Sequence, residues 1–402
     1  NYNVASGNDA IYYNTTGNSN VASGWRSLHL NTTGSSNSAF GRSALYANTT
    51  GNYNVAIGSG TLGANTTVTG LTAVGTAALA TNTTGAANVA VGYASLQANT
   101  TGSNNTATGY NALQNNTTGS NNVATGWQTM SSNTTGTGNT ATGYYALKSN
   151  STASGNTAYG YYGLLSTTGG YNTSVGYEAL RYNTTGTANV AVGYKALKVN
   201  TVGTQITAIG YEALQANTTS YLTAVGYQAL ATNTTGAHNA ALGYKALYAN
   251  TTGYKNSAFG NNSLQANTVG RDNTAVGWGS MASTTGGTFS TAVGSSALYS
   301  NTTGSSNDAF GFGALTANTT GQQNTAFGHA TLYNNTTGGS NVAVGLSAMG
   351  ANTTGLANTA VGRSAMQGNT TAVDSVAIGY SSQMTASAGG NTSVGKWTLY
   401  SN

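Results

Sequence analysis

The side chains that most often act as acids, bases or metal ligands are rare in this chain. Six carboxylates and three histidines occur among 402 residues, and cysteine is absent. Two carboxylates about 5–10 Å apart could hydrolyse a glycoside, and clustered histidines could ligate a metal or complete a nucleophilic triad. The candidates are Asp9, Glu178, Glu212, Asp272, Asp308, Asp374, His29, His238 and His329. Their use depends on which of them the fold brings together.

The element that must position these residues is a repeat of seventeen residues. One copy, residues 82–98, reads Asn-Thr-Thr-Gly-Ala-Ala-Asn-Val-Ala-Val-Gly-Tyr-Ala-Ser-Leu-Gln-Ala. Its second glycine recurs 24 times between Gly7 and Gly395, with one residue missing before Gly176, Gly226 and Gly395. A short period held over so many copies predicts a solenoid. We therefore expect an all-β fold, a parallel β-solenoid or β-roll of about 24 turns, with residues 1–402 as a single array.

Composition agrees with a sheet and excludes several functions. Proline is absent, as expected where nearly every backbone N–H is needed in a ladder. The net charge is +5, and the 11 Lys and Arg residues are scattered, so nucleic-acid binding is not expected. No apolar run approaches the roughly 20 residues of a membrane helix, so this segment is not expected to insert in a membrane. The repeat also runs to both ends without an atypical capping turn, which predicts a longer fibre or ends covered by other subunits.

Alternation within the strand Val89-Ala90-Val91 predicts two faces. Because Val, Ile, Phe and Leu recur at the Val91 position, we expect Val89 and Val91 to point into the coil and to pack against Leu96. The alanine column, formed by Ala90 and its equivalents, departs from alanine only at Ser174 and Ser393. This restriction to small residues predicts that the opposite face packs closely on another sheet or another chain.

The Asn-Thr-Thr-Gly segment is expected to form the return bend, because Asn tolerates and Gly readily adopts left-handed backbone geometry. Stacked turns would place identical Asn and Thr side chains about 4.8 Å apart and permit amide and hydroxyl ladders. The missing residues before Gly176 and Gly226 should fall in bends, since a deletion within a strand would reverse its faces. Most bends are also N-glycosylation sequons, and the candidate attachment sites begin with Asn14, Asn31, Asn48, Asn65, Asn82, Asn99, Asn116 and Asn133. Asn200-Thr-Val and Asn267-Thr-Val keep the asparagine without the sequon, which favours the ladder over glycosylation.

Turn spacing separates most of the candidate catalytic residues by tens of ångströms. Glu178 and Glu212 share a column two turns apart, but Lys195 lies between them, which predicts a solvated ladder of alternating charge. His238 and His329 are five turns apart, about 24 Å at the strand spacing. We therefore expect no enzymatic activity, no metal site and no cofactor.

An aromatic stripe follows the recurring glycine in ten consecutive turns. These residues could stack on sugars or on another fibre, or they could stabilise the outer sheet or a subunit seam. The stripe consists of Tyr93, Tyr110, Trp127, Tyr144, Tyr161, Tyr177, Tyr194, Tyr211, Tyr227 and Tyr244. Ice binding is a further alternative, since regular threonine rows can order water, although the Asn-Thr-Thr-Gly threonines are expected at a bend.

Repeats such as Asn3–Gly7, Asn54–Gly58 and Asn189–Gly193 resemble the YadA-like head repeats of trimeric autotransporter adhesins and related phage tail-fibre repeats. The resemblance covers the whole array. It implies a left-handed coil, association of three chains about one axis and a role in surface attachment.

These observations together predict an extracellular structural fibre or adhesin rod that associates with itself into a filament or trimer. The alternative is a phage or cell-surface fibre that recognises a receptor or cell-surface glycans through the aromatic stripe. The expected location is extracellular, at the cell surface or on a virion.

Overall fold

The structure, a computed structural model, describes residues 2–384 and 389–399, in which every named element is a β-strand. The chain divides into two compact units, Asn1–Thr204 and Gln205–Asn402, here called unit 1 and unit 2. The strands of unit 1 are β1 (Val4–Ser6), β2 (Val21–Ser23), β3 (Ser38–Phe40), β4 (Val55–Ile57), β5 (Thr72–Val74), β6 (Val89–Val91), β7 (Thr106–Thr108), β8 (Val123–Thr125), β9 (Thr140–Thr142), β10 (Thr157–Tyr159), β11 (Thr173–Val175) and β12 (Val190–Val192). Those of unit 2 are β13 (Thr207–Ile209), β14 (Thr223–Val225), β15 (Ala240–Leu242), β16 (Ser257–Phe259), β17 (Thr274–Val276), β18 (Thr291–Val293), β19 (Asp308–Phe310), β20 (Thr325–Phe327), β21 (Val342–Val344), β22 (Thr359–Val361), β23 (Val376–Ile378) and β24 (Thr392–Val394).

Within each unit, consecutive strands pair in parallel and in register. Ala73 lies opposite Ala90, and Ala90 lies opposite Ala107, so equivalent positions of the repeat stack directly on one another. In unit 2, Ala258 and Ala275 are paired in the same way. The predicted parallel β-solenoid with a period of about seventeen residues is therefore confirmed.

The predicted orientation of the strand faces is wrong. Ala90 is completely buried inside the coil, whereas Val89 and Val91 are each 37% exposed and point outward. The same pattern, with only the central residue fully buried, holds in nearly every strand of both units. The alanine column therefore packs within its own chain and cannot be the contact with another sheet or chain that its small size suggested.

The interior opposite the alanine column is filled as predicted by Leu96 and its equivalents, which are fully buried. Asparagines flank these apolar columns on two sides. Asn88 precedes the strand and Asn99 begins the bend, and both side chains are completely buried. The coil is therefore narrow, with a thin apolar centre between two columns of buried amides, and this leaves no room for valine on the inner face of the strand.

Left-handed geometry occurs at positions other than those predicted. The φ of Leu96 is 48° and that of Ala87 is 53°, and equivalent residues repeat these values throughout the chain. The bend glycine Gly85 has a φ outside the left-handed region, so the prediction about its conformation is wrong. Glycine is needed there because a Cβ would lie 2.6 Å from Asn82 Oδ1 and 2.8 Å from Asn99 Nδ2.

The two shortened turns lose a residue in the bend, as predicted. Before Gly176, Thr167 takes the place of the bend asparagine, and its Oγ1 bonds to the carbonyl of Gly169 only two residues later. Before Gly226, Asn217 Nδ2 likewise donates to the carbonyl of Thr219, two residues later instead of three. The second threonine of the bend is the residue that is missing in both. The third shortened turn includes residues 385–388, which lie outside the described part of the chain.

Candidate functional site

The outward face of the strands forms a regular surface in each unit. It consists of two columns, the residues equivalent to Val89 and those equivalent to Val91, and we call it the outer strand face. Within the described strands, Asp308 is the only charged residue in these two columns. A nearly uncharged, partly apolar face of this length is a typical interaction surface.

One section of this face in unit 1 contains β-branched residues only. From β5 to β9 the outward residues are Thr72, Val74, Val89, Val91, Thr106, Thr108, Val123, Thr125, Thr140 and Thr142. Valine and threonine have nearly the same shape, so this section is flat, and it ends at Ile57 on one side and at Tyr159 on the other. We call it the flat section.

The aromatic stripe forms ring stacks in both units. In unit 1, the rings of Tyr144 and Tyr161 are 5.2 Å apart at an interplanar angle of 9°. The rings of Tyr161 and Tyr177 are also 5.2 Å apart, and Tyr110 lies 4.1 Å from Trp127. In unit 2, Tyr227 is stacked at 5.1 Å on Tyr211 and at 5.3 Å on Tyr244.

This stacking bears on what the stripe can bind. Sugars bind to aromatic residues through ring faces, but in the stacks both faces of an inner ring such as Tyr161 are covered by its neighbours. Only ring edges and hydroxyl groups remain exposed to solvent. The arrangement therefore favours stabilisation of the outer surface through aromatic pairs over recognition of sugars by the stripe itself.

A second tyrosine column lies beside the stripe at Tyr145 and Tyr162. The rings of Tyr144 and Tyr145 are 4.1 Å apart, and Lys148 Nζ lies 4.0 Å from the centre of the Tyr145 ring. Hydrogen bonding to Tyr145 raises the pKa of Tyr144 to about 12, and the same bond lowers the pKa of Tyr145.

Glu178 lies in a charged cluster that differs from the predicted solvated ladder. Its side chain is only 7% exposed and is bound by Lys198 Nζ at 2.8 Å and by Arg181. Burial raises the pKa of Glu178, but the hydrogen bonds and charges of Lys198 and Arg181 outweigh it and hold that pKa below its ordinary value. In unit 2, Gln228 Nε2 donates to Glu212 at 2.9 Å, as a ladder of polar side chains requires.

Replacing Glu178 by glutamine is expected to destabilise unit 1 by about 1–3 kcal/mol at pH 7, because two charge-assisted hydrogen bonds are weakened. A depressed carboxyl pKa contributes stability that is present above the unfolded-state value and lost as the pH falls through the folded-state value. The difference between wild type and Glu178→Gln should therefore shrink below about pH 4. Thermal unfolding at neutral and acidic pH measures this difference in stability. Asp374→Asn, which changes an exposed carboxylate, is the control. A difference in stability that stays constant at all pH values would contradict a stabilising role for the ionised Glu178 carboxylate.

The sequon asparagines form the predicted ladder. Asn99 Nδ2 donates to Asn82 Oδ1 at 2.8 Å and to the carbonyl of Gly102 at 2.9 Å, and Asn116 Nδ2 donates to Asn99 Oδ1 at 2.8 Å. Of the eight candidate glycosylation sites, Asn14 is partly exposed and the other seven are completely buried. A glycan would replace an amide hydrogen that the ladder uses. In the folded chain these amides therefore act as hydrogen-bonding groups of the coil.

The asparagine column before the strand is a second ladder, which the sequence analysis did not predict. The backbone N–H of Asn105 donates to Asn88 Oδ1 at 2.9 Å, and Asn88 Nδ2 donates to the carbonyl of Gly102 at 2.8 Å. The recurrence of asparagine at this position in most turns was the available signal. Leu71 and Leu222, which replace it, are also buried.

The histidines lie apart, and each stacks on an aromatic ring. His29 is stacked on Tyr46 at 5.4 Å, and its Nδ1 lies 2.8 Å from the carbonyl of Asp9. His238 stacks on Tyr221, and His329 stacks on Phe312. Among residues 2–384 and 389–399, no three His, Asp or Glu side chains are grouped so that they could hold a metal ion.

Comparisons with known proteins supply no family. No protein-family profile matches the chain, and a search of curated proteins found no similar sequence. In the part of the chain that the structure describes, no helix is long and apolar enough to cross a lipid bilayer.

Proposed function

We propose that this protein is an extracellular structural fibre or adhesin rod whose copies associate laterally through the outer strand face. The observation that best supports this proposal is the flat section in unit 1, where five neighbouring strands present only valine and threonine to solvent. The resemblance to adhesin heads supports an extracellular attachment role but adds no contact surface.

A second copy of the chain suits this surface for a physical reason. Two flat sheet faces pack about 10 Å apart, and β-branched side chains interdigitate well at that distance. The outward columns of unit 1 carry no charged residue in its described strands, so two such faces can meet without burying a charge. The alanine column, by contrast, is already covered by its own chain and offers nothing to a partner.

Placing charges on the flat section tests lateral association. Thr108→Lys combined with Thr125→Lys is expected to abolish concentration-dependent association, because each contact would then bury uncompensated ammonium groups. The matched control is Thr84→Lys combined with Thr101→Lys, at exposed bend positions, which should associate like wild type. Sedimentation velocity and electron microscopy of negatively stained material measure association. Equal association of both variants would exclude this face, and a wild type that stays monomeric would refute self-association.

Ice binding is a second candidate function. The structure moves the threonines that could bind ice from the bends to the outer strand face. The first threonine of each bend uses its hydroxyl between turns, since Thr100 Oγ1 donates to the carbonyl of Thr117 at 3.1 Å. Strands β7 and β9, however, carry outward Thr-x-Thr pairs on the flat section. Inhibition of ice recrystallisation by a monomeric wild type, lost in the charged-face variant, would favour this function over a fibre.

A further inference from the structure

An interruption of the aromatic column in unit 2 forms a cavity. The residues that follow the recurring glycine continue after the stripe as Asn261, Trp278, Ser295, Phe312 and His329. Trp278 and Phe312 are two turns apart, and Ser295 leaves the position between them without a ring. At about 4.8 Å per turn the two aromatic positions are separated by about 10 Å, and the stripe holds one ring in a space of this kind.

The rings at the two ends of this gap each pair with another aromatic ring. Trp278 is nearly parallel to Tyr299, with an angle of 17° and 6.3 Å between ring centres. Phe312 is stacked on His329 at 5.2 Å on its other side. Trp278 and Phe312 are among the most exposed rings of the chain, at 54% and 55%. Unlike the rings of the stripe, they therefore still have face area to offer.

A cavity of about 180 Å³ borders both Trp278 and Phe312 and reaches Ser296, the residue after Ser295. It is lined by Trp278, Ser296, Tyr299, Phe312, Gly313, Thr316 and Tyr333. The two walls have the same composition and lie two turns apart. One consists of Trp278, Gly279 and Tyr299, and the other of Phe312, Gly313 and Tyr333.

The glycines have a definite part in this construction. A Cβ on Gly279 would lie 3.1 Å from the Tyr299 ring, and one on Gly313 would lie 3.3 Å from the Tyr333 ring. Both tyrosine rings can lie flat over the previous turn only because these positions carry no side chain. The paired aromatic and glycine residues therefore shape a slot with two aromatic walls.

The chemistry of the slot indicates a neutral ligand with hydroxyl groups. No charged side chain lines the cavity, which argues against phosphate or carboxylate ligands. Ser296 and Thr316 supply a hydroxyl-bearing floor, with Thr316 Oγ1 bonded to the carbonyl of Ser296 at 3.0 Å. A sugar ring matches both features, because its C–H groups contact aromatic ring faces while its hydroxyls bond to the hydroxyl-bearing floor.

We propose that the slot between Trp278 and Phe312 binds one neutral pyranose unit of a glycan. The sugar's axial C–H groups contact the ring faces of Trp278 and Phe312, and its equatorial hydroxyls face Ser296, Thr316 and solvent. This site lies outside the continuous stripe and does not depend on self-association. Its test can therefore fail while the fibre proposal stands, and the reverse also holds.

The neighbouring gap at Asn261 provides a matched control. It also separates two aromatic positions, Tyr244 and Trp278, but Asn261 Oδ1 accepts the backbone N–H of Tyr244 at 3.2 Å. Gln265 occupies the position that corresponds to Tyr299. This gap therefore lacks the tyrosine ring that Tyr299 supplies to the slot, and Asn261 does not line the cavity, so filling this gap should not affect the slot.

The test is saturation-transfer NMR with methyl β-D-glucopyranoside, whose ring substituents are all equatorial. Wild type is expected to transfer saturation to the sugar's ring protons. Ser295→Tyr should abolish the transfer by filling the slot, and Asn261→Tyr should preserve it. Both variants extend an aromatic stack, so their melting temperatures should not fall. Ser295→Tyr keeps both aromatic walls and only fills the space between them. Trp278→Leu removes one wall and should also abolish binding.

Two results would overturn the proposal. Equal transfer in wild type and Ser295→Tyr would show that the sugar does not enter the slot. Stronger transfer to phenol or to choline than to the glucoside, also abolished by Ser295→Tyr, would assign the slot to planar aromatic or quaternary ammonium ligands instead.

Discussion

Gly92→Ala is expected to lower the free energy of unfolding of unit 1 by about 3–5 kcal/mol, since it combines backbone strain with overpacking. The φ of Gly92 is 132°, a value that residues with a Cβ rarely adopt, and the added Cβ would lie 2.7 Å from the carbonyl carbon of Gly109 in the next turn. That turn cannot move away, because the Gly109 N–H donates to the carbonyl of Val91 at 2.7 Å.

Gly70→Ala is the matched control for this substitution. Gly70 also has a positive φ, 75°, but a Cβ there would have no heavy atom within 4 Å. Its cost should therefore be only the left-handed strain of alanine, about 1 kcal/mol. Thermal unfolding and hydrogen exchange of the Gly109 amide measure both variants. Similar effects of the two substitutions would mean that contact between turns does not decide the requirement for glycine at Gly92.

Asn116 substitutions are expected to follow the order aspartate, alanine, threonine from most to least destabilising. In wild type, Asn116 Nδ2 donates to Asn99 Oδ1 and to the carbonyl of Gly119, and Asn116 Oδ1 accepts from Asn133 Nδ2, all at 2.8–2.9 Å. Asn116→Ala removes three buried hydrogen bonds and leaves Asn99 Oδ1 without a partner, whereas the Gly119 carbonyl and Asn133 Nδ2 each keep one. It should therefore cost about 3 kcal/mol or more. Asn116→Asp should cost more, because a carboxylate would face two acceptor oxygens.

Asn116→Thr is expected to be the mildest change because the chain itself uses threonine in the ladder. In a bend that is one residue shorter, Thr167 Oγ1 donates to the carbonyl of Gly169 at 3.1 Å and accepts from Asn183 Nδ2 at 3.2 Å. In a full-length bend, Thr284 Oγ1 accepts from Asn301 Nδ2 at 3.4 Å. Because repeat arrays do not always unfold in one step, urea denaturation should be combined with hydrogen exchange of the turns on either side. If threonine proves as damaging as alanine, the ladder does not stabilise through its hydrogen bonds.

Most of the fold can be predicted from the repeat itself. The phase of Gly92, Ala90 and Leu96 predicts parallel stacked turns, and the bend asparagines predict a ladder, because both follow from identical residues at strand spacing. The same logic places the deletions before Gly176 and Gly226 in bends. These features depend only on periodicity, which a sequence records directly.

The orientation of the strand faces could not be obtained from apolar character alone. Val91 is more hydrophobic than Ala90, but its column also admits Phe40, Thr108 and Tyr159, whose volumes differ greatly. A close-packed interior does not tolerate such variation, whereas it does require a column as uniform as that of Ala90. Uniform size was therefore the signal for the interior, and it was interpreted as an external contact.

The slot in unit 2 was missed for a different reason. The aromatic column attracts attention where it is continuous, from Tyr93 to Tyr244, but stacked rings cover each other's faces. Exposed faces arise where the column is interrupted, as at Ser295 between Trp278 and Phe312. Which side chains then border the gap depends on the paths of Tyr299 and Tyr333, and these cannot be read from spacing.

The asparagine ladder also gives unit 1 an electrical direction. From Asn99 to Asn150, each amide of the ladder donates to the oxygen of the preceding turn, so the side-chain dipoles point the same way and their fields add. The oxygen of Asn150, at the negative end of this run, has no hydrogen-bond partner. Dipoles that lie side by side attract when antiparallel and repel when parallel. In the lateral association that we propose, this ladder would therefore favour copies that run in opposite directions.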